Sequence, residues 1–117
     1  MTMSVSVTFD GMAPSDALRA DIMQHADKLA QFAPRALACH VAVMASTRRR
    51  HQGNLYKVRA RLTLPGGEIA AGRTGPQDHG HEDPYVAVRD TFDVLRRQLE
   101  DYVRRQRGDV KHHEPRP

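Results

Sequence analysis

The sequence predicts an α+β two-layer sandwich in the order β-α-β-β-β-α, with a four-stranded sheet carrying two helices on one face. Three observations predict it. Four segments alternate apolar and polar residues with a period of two. Two longer segments repeat apolar residues every three or four positions. Each alternation and each stripe is apolar on one side only, so every element has a single face to bury.

Residues 3–9 place Met3, Val5, Val7 and Phe9 on one side and Ser4, Ser6 and Thr8 on the other, the pattern of a half-buried strand. Asp10-Gly11 breaks it. Pro14-Ser15-Asp16 reads as a helix start, with Ser15 as N-cap and an acid in the first turn. Leu18, Ile22, Ala26, Leu29 and Phe32 then form a stripe, and Pro34 stops the helix. A second strand over 37–44 has Cys39, Val41 and Val43 on one face. Residues 45–54 read as a polar loop carrying Arg48-Arg49-Arg50-His51.

The third strand, over about 55–64, has Tyr56, Val58, Ala60, Leu62 and Leu64 on its inner face. Lys57, Arg59, Arg61 and Thr63 take the other face, the cations about 7 Å apart. Pro65-Gly66-Gly67 turns the chain into an antiparallel fourth strand over 68–73. A Gly/His/Asp-rich loop covers 74–82. Asp83 caps the last helix, with Pro84 at its first position. Tyr85, Val88, Phe92, Leu95, Leu99 and Tyr102 make its stripe, Gly108 ends it, and 109–117 lacks an apolar pattern.

The 117 residues suit one domain with a short tail. No apolar run reaches the roughly 20 residues of a membrane span, and the N-terminus has neither the basic nor the apolar region of a signal peptide. The single cysteine, Cys39, excludes an internal disulfide, favours a reducing compartment, and reads as a buried packing thiol. The formal charge is +4, and its distribution says more than its size. Between Asp27 and Glu68 there is no acid, while Lys28, Arg35, Arg48, Arg49, Arg50, Lys57, Arg59 and Arg61 fall in that stretch. One-signed segments of this kind attract polyanions.

No nucleophile elbow, P-loop or dinucleotide fingerprint is present, and Gly66-Gly67 is explained by a hairpin. Asp78, His79, His81, Glu82 and Asp83, with His112-His113 in the tail, are metal-ligand types. They lie in a loop with little to fix their geometry, and Asp83 is better used as a cap. No metal site and no cofactor are therefore assigned. All six aromatic residues have a core or stripe position, so no base-stacking platform is predicted, and binding should rest on phosphate and RNA shape. Arginine suits that task through its planar fork.

The segment 81–90, His-Glu-Asp-Pro-Tyr-Val-Ala-Val-Arg-Asp, resembles the "hED-x-Y-x-A-I" opening of the last helix in ribosome hibernation promoting factors. These are also called ribosome-associated translation inhibitors or sigma-54 modulation proteins. Leu95-Arg96-Arg97-Gln98-Leu99 is similar to their "L-x-R-Q-L" motif. Leu64-Pro65-Gly66-Gly67 with Ile69-Ala70-Ala71 resembles their third-to-fourth strand hairpin, and Lys28-Leu29 their first-helix "K/R-L" pair. The likeness covers about 3–107. It implies a fold like that of double-stranded RNA-binding domains, and binding in the small-subunit cleft where messenger and transfer RNA pass. Inhibition would be steric, keeping idle ribosomes intact during stress or stationary phase, without enzymatic chemistry.

The resemblance carries over Lys28 and Arg97 as RNA contacts, and less directly Arg89, Arg104 and Arg105. Lys57, Arg59 and Arg61 rest on the strand pattern itself. Val94 and Asp101 stand where some members have cations, the 74–80 loop is longer than in the shortest members, and Pro84 precedes Tyr85. The expected organisation is a ribosome-binding domain over 1–107 and a flexible tail over 108–117, in a short form without the extra domain that pairs ribosomes. The expected partner is the small ribosomal subunit through 16S-type rRNA. The protein would be cytoplasmic, monomeric off the ribosome, and without membrane or small-molecule ligand. A regulatory module that binds a protein partner is the alternative, and it requires an exposed apolar patch that the patterning does not show. A metal-dependent enzyme built on the His/Asp loop is a third reading, and it requires fixed ligands in a pocket.

Overall fold

Alternation in the first residues folds as β1 (Ser4–Asp10), with Val5, Val7 and Phe9 half-buried and Ser4, Ser6 and Thr8 exposed. The computed structural model describes residues 3–47, 54–72 and 83–113, the side chains of 47, 54 and 106–113 excepted. α1 (Asp16–Phe32) begins where expected: Ser15 is extended (φ −120°, ψ 117°), and its hydroxyl accepts from the Leu18 amide at 3.1 Å. That bond satisfies one of the amides a helix start leaves without a partner. The helix ends at Phe32 because Ala33, preceding Pro34, leaves the helical region (φ −136°, ψ 75°).

β2 (Ala38–Thr47) runs past Met44 into residues expected to be loop, pairing Ala45 with Tyr56 and Ser46 with Leu55. Ladder hydrogen bonds are made by the backbone, so the polar side chains there do not stop the pairing. β3 (Asn54–Leu64) and β4 (Gly67–Ala71) complete a sheet in the order β1-β2-β3-β4. β1 and β2 are parallel, and α1 is the crossover that parallel pairing requires; the other pairs are antiparallel. The basic loop Arg48–His51 lies outside the described residues.

α2 (Pro84–His113) is capped by Asp83, whose carboxylate accepts from the Tyr85 amide at 2.8 Å. It runs through Gly108, which was expected to end it, so residues 108–113 are helical; 114–117 lie outside the described residues. An interior glycine costs a helix about 1 kcal/mol relative to alanine and does not forbid it. No described helix is long and apolar enough to cross a membrane.

Both helices pack on one sheet face, as predicted. Leu18, Ile22 and Leu29 of α1 and Val88, Leu95 and Leu99 of α2 close over Cys39, Val41, Val43, Val58 and Leu62. Thr91 is the one buried polar side chain among the described residues. Its hydroxyl lies 2.8 Å from the Ala87 carbonyl and 3.3 Å from that of Val58, so a single proton serves the helix and reaches toward β3. Two stripe positions stay in water: Phe32 is 50% exposed and Tyr85 43%. Tyr85 lies three positions before Val88, about 60° round the helix, at the margin of the stripe. Phe32 is the last residue of α1.

Leu62→Ala should lower unfolding free energy by about 2–5 kcal/mol in chemical denaturation, because the cavity opens at the sheet centre. Gly72 has φ +81°, and a β-carbon there would run into the Val58 carbonyl oxygen. Gly72→Ala should therefore cost about 1–3 kcal/mol in the same assay, although it enlarges the residue by one methyl group. Burial pushes the Cys39 thiol up to about 11, so at pH 8 a thiol reagent should label it only as the protein unfolds.

Candidate nucleic-acid interface

Strand periodicity builds the first basic surface. On β3 the buried residues Val58, Ala60 and Leu62 alternate with Lys57, Arg59 and Arg61, which stand on the face that no helix covers. Register sets their neighbours. Arg61 lies opposite His40 and Ala70, Arg59 opposite Ala42, and Lys57 opposite Met44. β1 continues the rows with Ser6 beside His40 and Thr8 beside Ala42. Ser6, Thr8, His40, Ala42, Ala70, Arg59 and Arg61 are among the residues that line one open cavity, to which Val94 and Gln98 of α2 also contribute.

Acids on this face are peripheral. Asp10 is at the end of β1, and Glu68 on β4 pairs with Arg61 at 3.4 Å. Both partners of that pair are about half exposed, so water screens it, and it contributes about 1 kcal/mol or less. Lys57 and Arg59 have no ion pair among the described residues. His40 was not singled out from the sequence. Its Nδ1 lies 2.6 Å from the Ser6 hydroxyl, and it adds an imidazole beside Arg61. Period-two counting along β2 would have placed it there.

The remaining predicted residues lie in the helical layer. Lys28 is exposed on α1, and Arg89, Arg97, Arg104 and Arg105 are exposed on α2. Arg89 pairs with Asp90 at 3.4 Å and Arg104 with Asp101 at 3.0 Å, both at the surface. Lys28, Arg97 and Arg105 have no ion pair among the described residues. The eight cations thus form two sets on opposite sides of the sandwich, not one patch.

Sequence reasoning left Arg96 out of the candidate set. Its guanidinium carbon sits 5.0 Å from the Phe32 ring centroid, and its Nε donates to Glu100 at 3.3 Å. Nearby, His25 stacks on Phe92 with centroids 5.3 Å apart and planes 19° from parallel. The α1/α2 seam therefore carries rings as well as charges, and Phe32 and Tyr85 are exposed where all six aromatics were expected to be absorbed by core or stripe. A one-dimensional stripe does not show where a helix overhangs the layer beneath it.

Among the described residues no group of three or more His, Cys, Asp or Glu is placed to hold a metal. Asp78, His79, His81 and Glu82 lie outside the described residues.

The fold is shared with known structures. A ribosomal subunit interface protein from Coxiella burnetii superposes with a TM-score of 0.67 at 22% identity, over 86% of this chain and 97% of that one. The N-terminal domain of Thermus thermophilus Protein Y gives 0.62 at 17% identity, over 86% and 99%. No curated protein matches the sequence. The family model described as "Sigma 54 modulation protein / S30EA ribosomal protein" matches residues 5–107, from the second residue of β1 into the last turns of α2, and the chain belongs to that family.

Proposed function

We propose that the protein is a ribosome-associated translation inhibitor that binds rRNA of the small subunit. It would occupy the decoding channel and keep messenger and transfer RNA out by its volume. The observation that carries this reading is the row Lys57, Arg59, Arg61, held outward on a sheet face with acids only at its margins, in a chain of this family. Family membership and the structural neighbours, one of them a ribosomal subunit interface protein, support a ribosomal partner.

The placement of charge favours a cleft over a flat surface. Cations on both broad sides of a two-layer sandwich can all be used only by a ligand that encloses it. An RNA-walled channel meets that requirement, and a single duplex laid along one face does not. Steric exclusion needs affinity and bulk and no reacting group, so the protein is read as a binding factor, not an enzyme. The ribosome-binding domain would be residues 1–107, of which 5–107 match the family model; the C-terminal residues, helical to His113, would extend the blocked path.

Binding should be driven by counterion release. If about six phosphates are contacted, raising salt from about 50 to about 200 mM should lower affinity roughly a thousandfold, read by co-sedimentation with purified small subunits. The triple variant Lys57→Glu, Arg59→Glu, Arg61→Glu should bind more weakly at low salt and reduce the slope of log affinity against log salt by about three. An unchanged slope would remove the open sheet face from the contact. Native protein that fails to sediment with subunits at low salt would overturn the reading in favour of a protein partner.

A further inference from the structure

We propose that the seam between α1 and α2 is a stacking site for unpaired nucleobases, with Phe32 and Tyr85 as the platforms. The inference rests on the RNA-binding reading and deepens it: this face would take single-stranded RNA, whereas the sheet face takes phosphates alone.

Two aromatic rings left half in water on one helical layer forgo burial that the core could have given them. Each stands beside a cation. Arg96 covers one face of the Phe32 ring, and its Nε is held by Glu100, which leaves the terminal amino groups of the guanidinium for a phosphate. Tyr85 and Arg89 are four positions apart on α2 and so share one side of the helix. Arg89 and Arg96 lie two turns apart along the same flank. Lys28, three residues after His25 and four before Phe32, supplies a further charge from α1.

Rings alternating with arginine along one flank of a helix suit single-stranded nucleic acid. Bases stack on the rings, and the backbone follows the charges. Base-paired RNA hides its base faces inside the helix and cannot use the rings. A protein partner of purely apolar surface would bury Lys28 and the Arg89–Asp90 and Arg96–Glu100 pairs without offering them new partners, a desolvation cost that phosphate oxygens offset.

The two modes separate by their salt dependence. Loss of a phosphate contact changes the slope of affinity against salt; loss of a stacked base lowers affinity by the same factor at every salt concentration. The test uses the full chain, a fluorescein-labelled twelve-nucleotide oligo(A), and a mixed-sequence RNA duplex of equal length, titrated over about 50–200 mM salt. Phe32→Ala with Tyr85→Ala should weaken oligo(A) binding about tenfold or more, leave the salt slope unchanged, and leave duplex binding as in the native protein. Phe32→Tyr with Tyr85→Phe should keep native affinity, which separates stacking from any loss of fold.

Equal oligo(A) affinity in the alanine variant and the native protein would overturn the inference. An equal loss on duplex, or an altered slope, would overturn it as well. Small-subunit binding by the native protein is measured in parallel. If it persists while the ring variant shows no defect on oligo(A), the stacking site falls and the ribosomal reading stands. If native protein binds neither probe nor subunit, both fall.

Discussion

The pairing register of β3 against β2 is the constraint on which the rest of the structure depends. Val43 opposite Val58 and Cys39 opposite Leu62 put one set of side chains under the helices; Met44 opposite Lys57 and His40 opposite Arg61 put the other set into water. A slip of one residue would exchange the sets, burying three cations and exposing the sheet's share of the core. Burying an unpaired charge costs several kcal/mol, so the error is strongly disfavoured. The apolar face and the basic face are therefore one specification. The residues that stabilise the sandwich also aim the charges outward.

Helix α2 locks that register from above. Val88, Leu95 and Leu99 are buried on the sheet, and Thr91 reaches from the helix toward the Val58 carbonyl on β3. Gly72, with its positive φ and its close approach to Val58, lets the chain leave β4 against the same strand. The central strand is thus fixed by β2 on one side, β4 on the other and α2 over its inner face. Rigid placement would favour the proposed binding, because phosphate contacts made from an ordered strand would lose little side-chain and backbone entropy on association.

The two layers divide the chemistry. The sheet face offers charge over small side chains. The helical face offers charge between rings, with Arg96 shared between Phe32 and Glu100 and His25 stacked on Phe92. Surface ion pairs such as Arg61–Glu68 and Arg104–Asp101 hold their arginines only weakly, since exposed pairs are screened by water.

Period and punctuation alone determined the element order, the helix caps at Ser15 and Asp83, the single-faced core and the outward row Lys57, Arg59, Arg61. Each is a local property, set by a repeat of 2 or 3.6 residues or by one hydrogen bond to a nearby amide. Tertiary structure decided what depends on neighbours distant in sequence. It carried β2 past Met44, because the partner strand continued to offer hydrogen bonds. It ran α2 through Gly108, where an intrinsic preference was too weak to stop a long helix. It put His40 beside Arg61, and it set Phe32 under Arg96 at an edge where the stripe outruns the layer it covers. It also split the basic residues between opposite faces. Whether two cations share a surface depends on which layers their elements occupy, and no spacing along the chain records that.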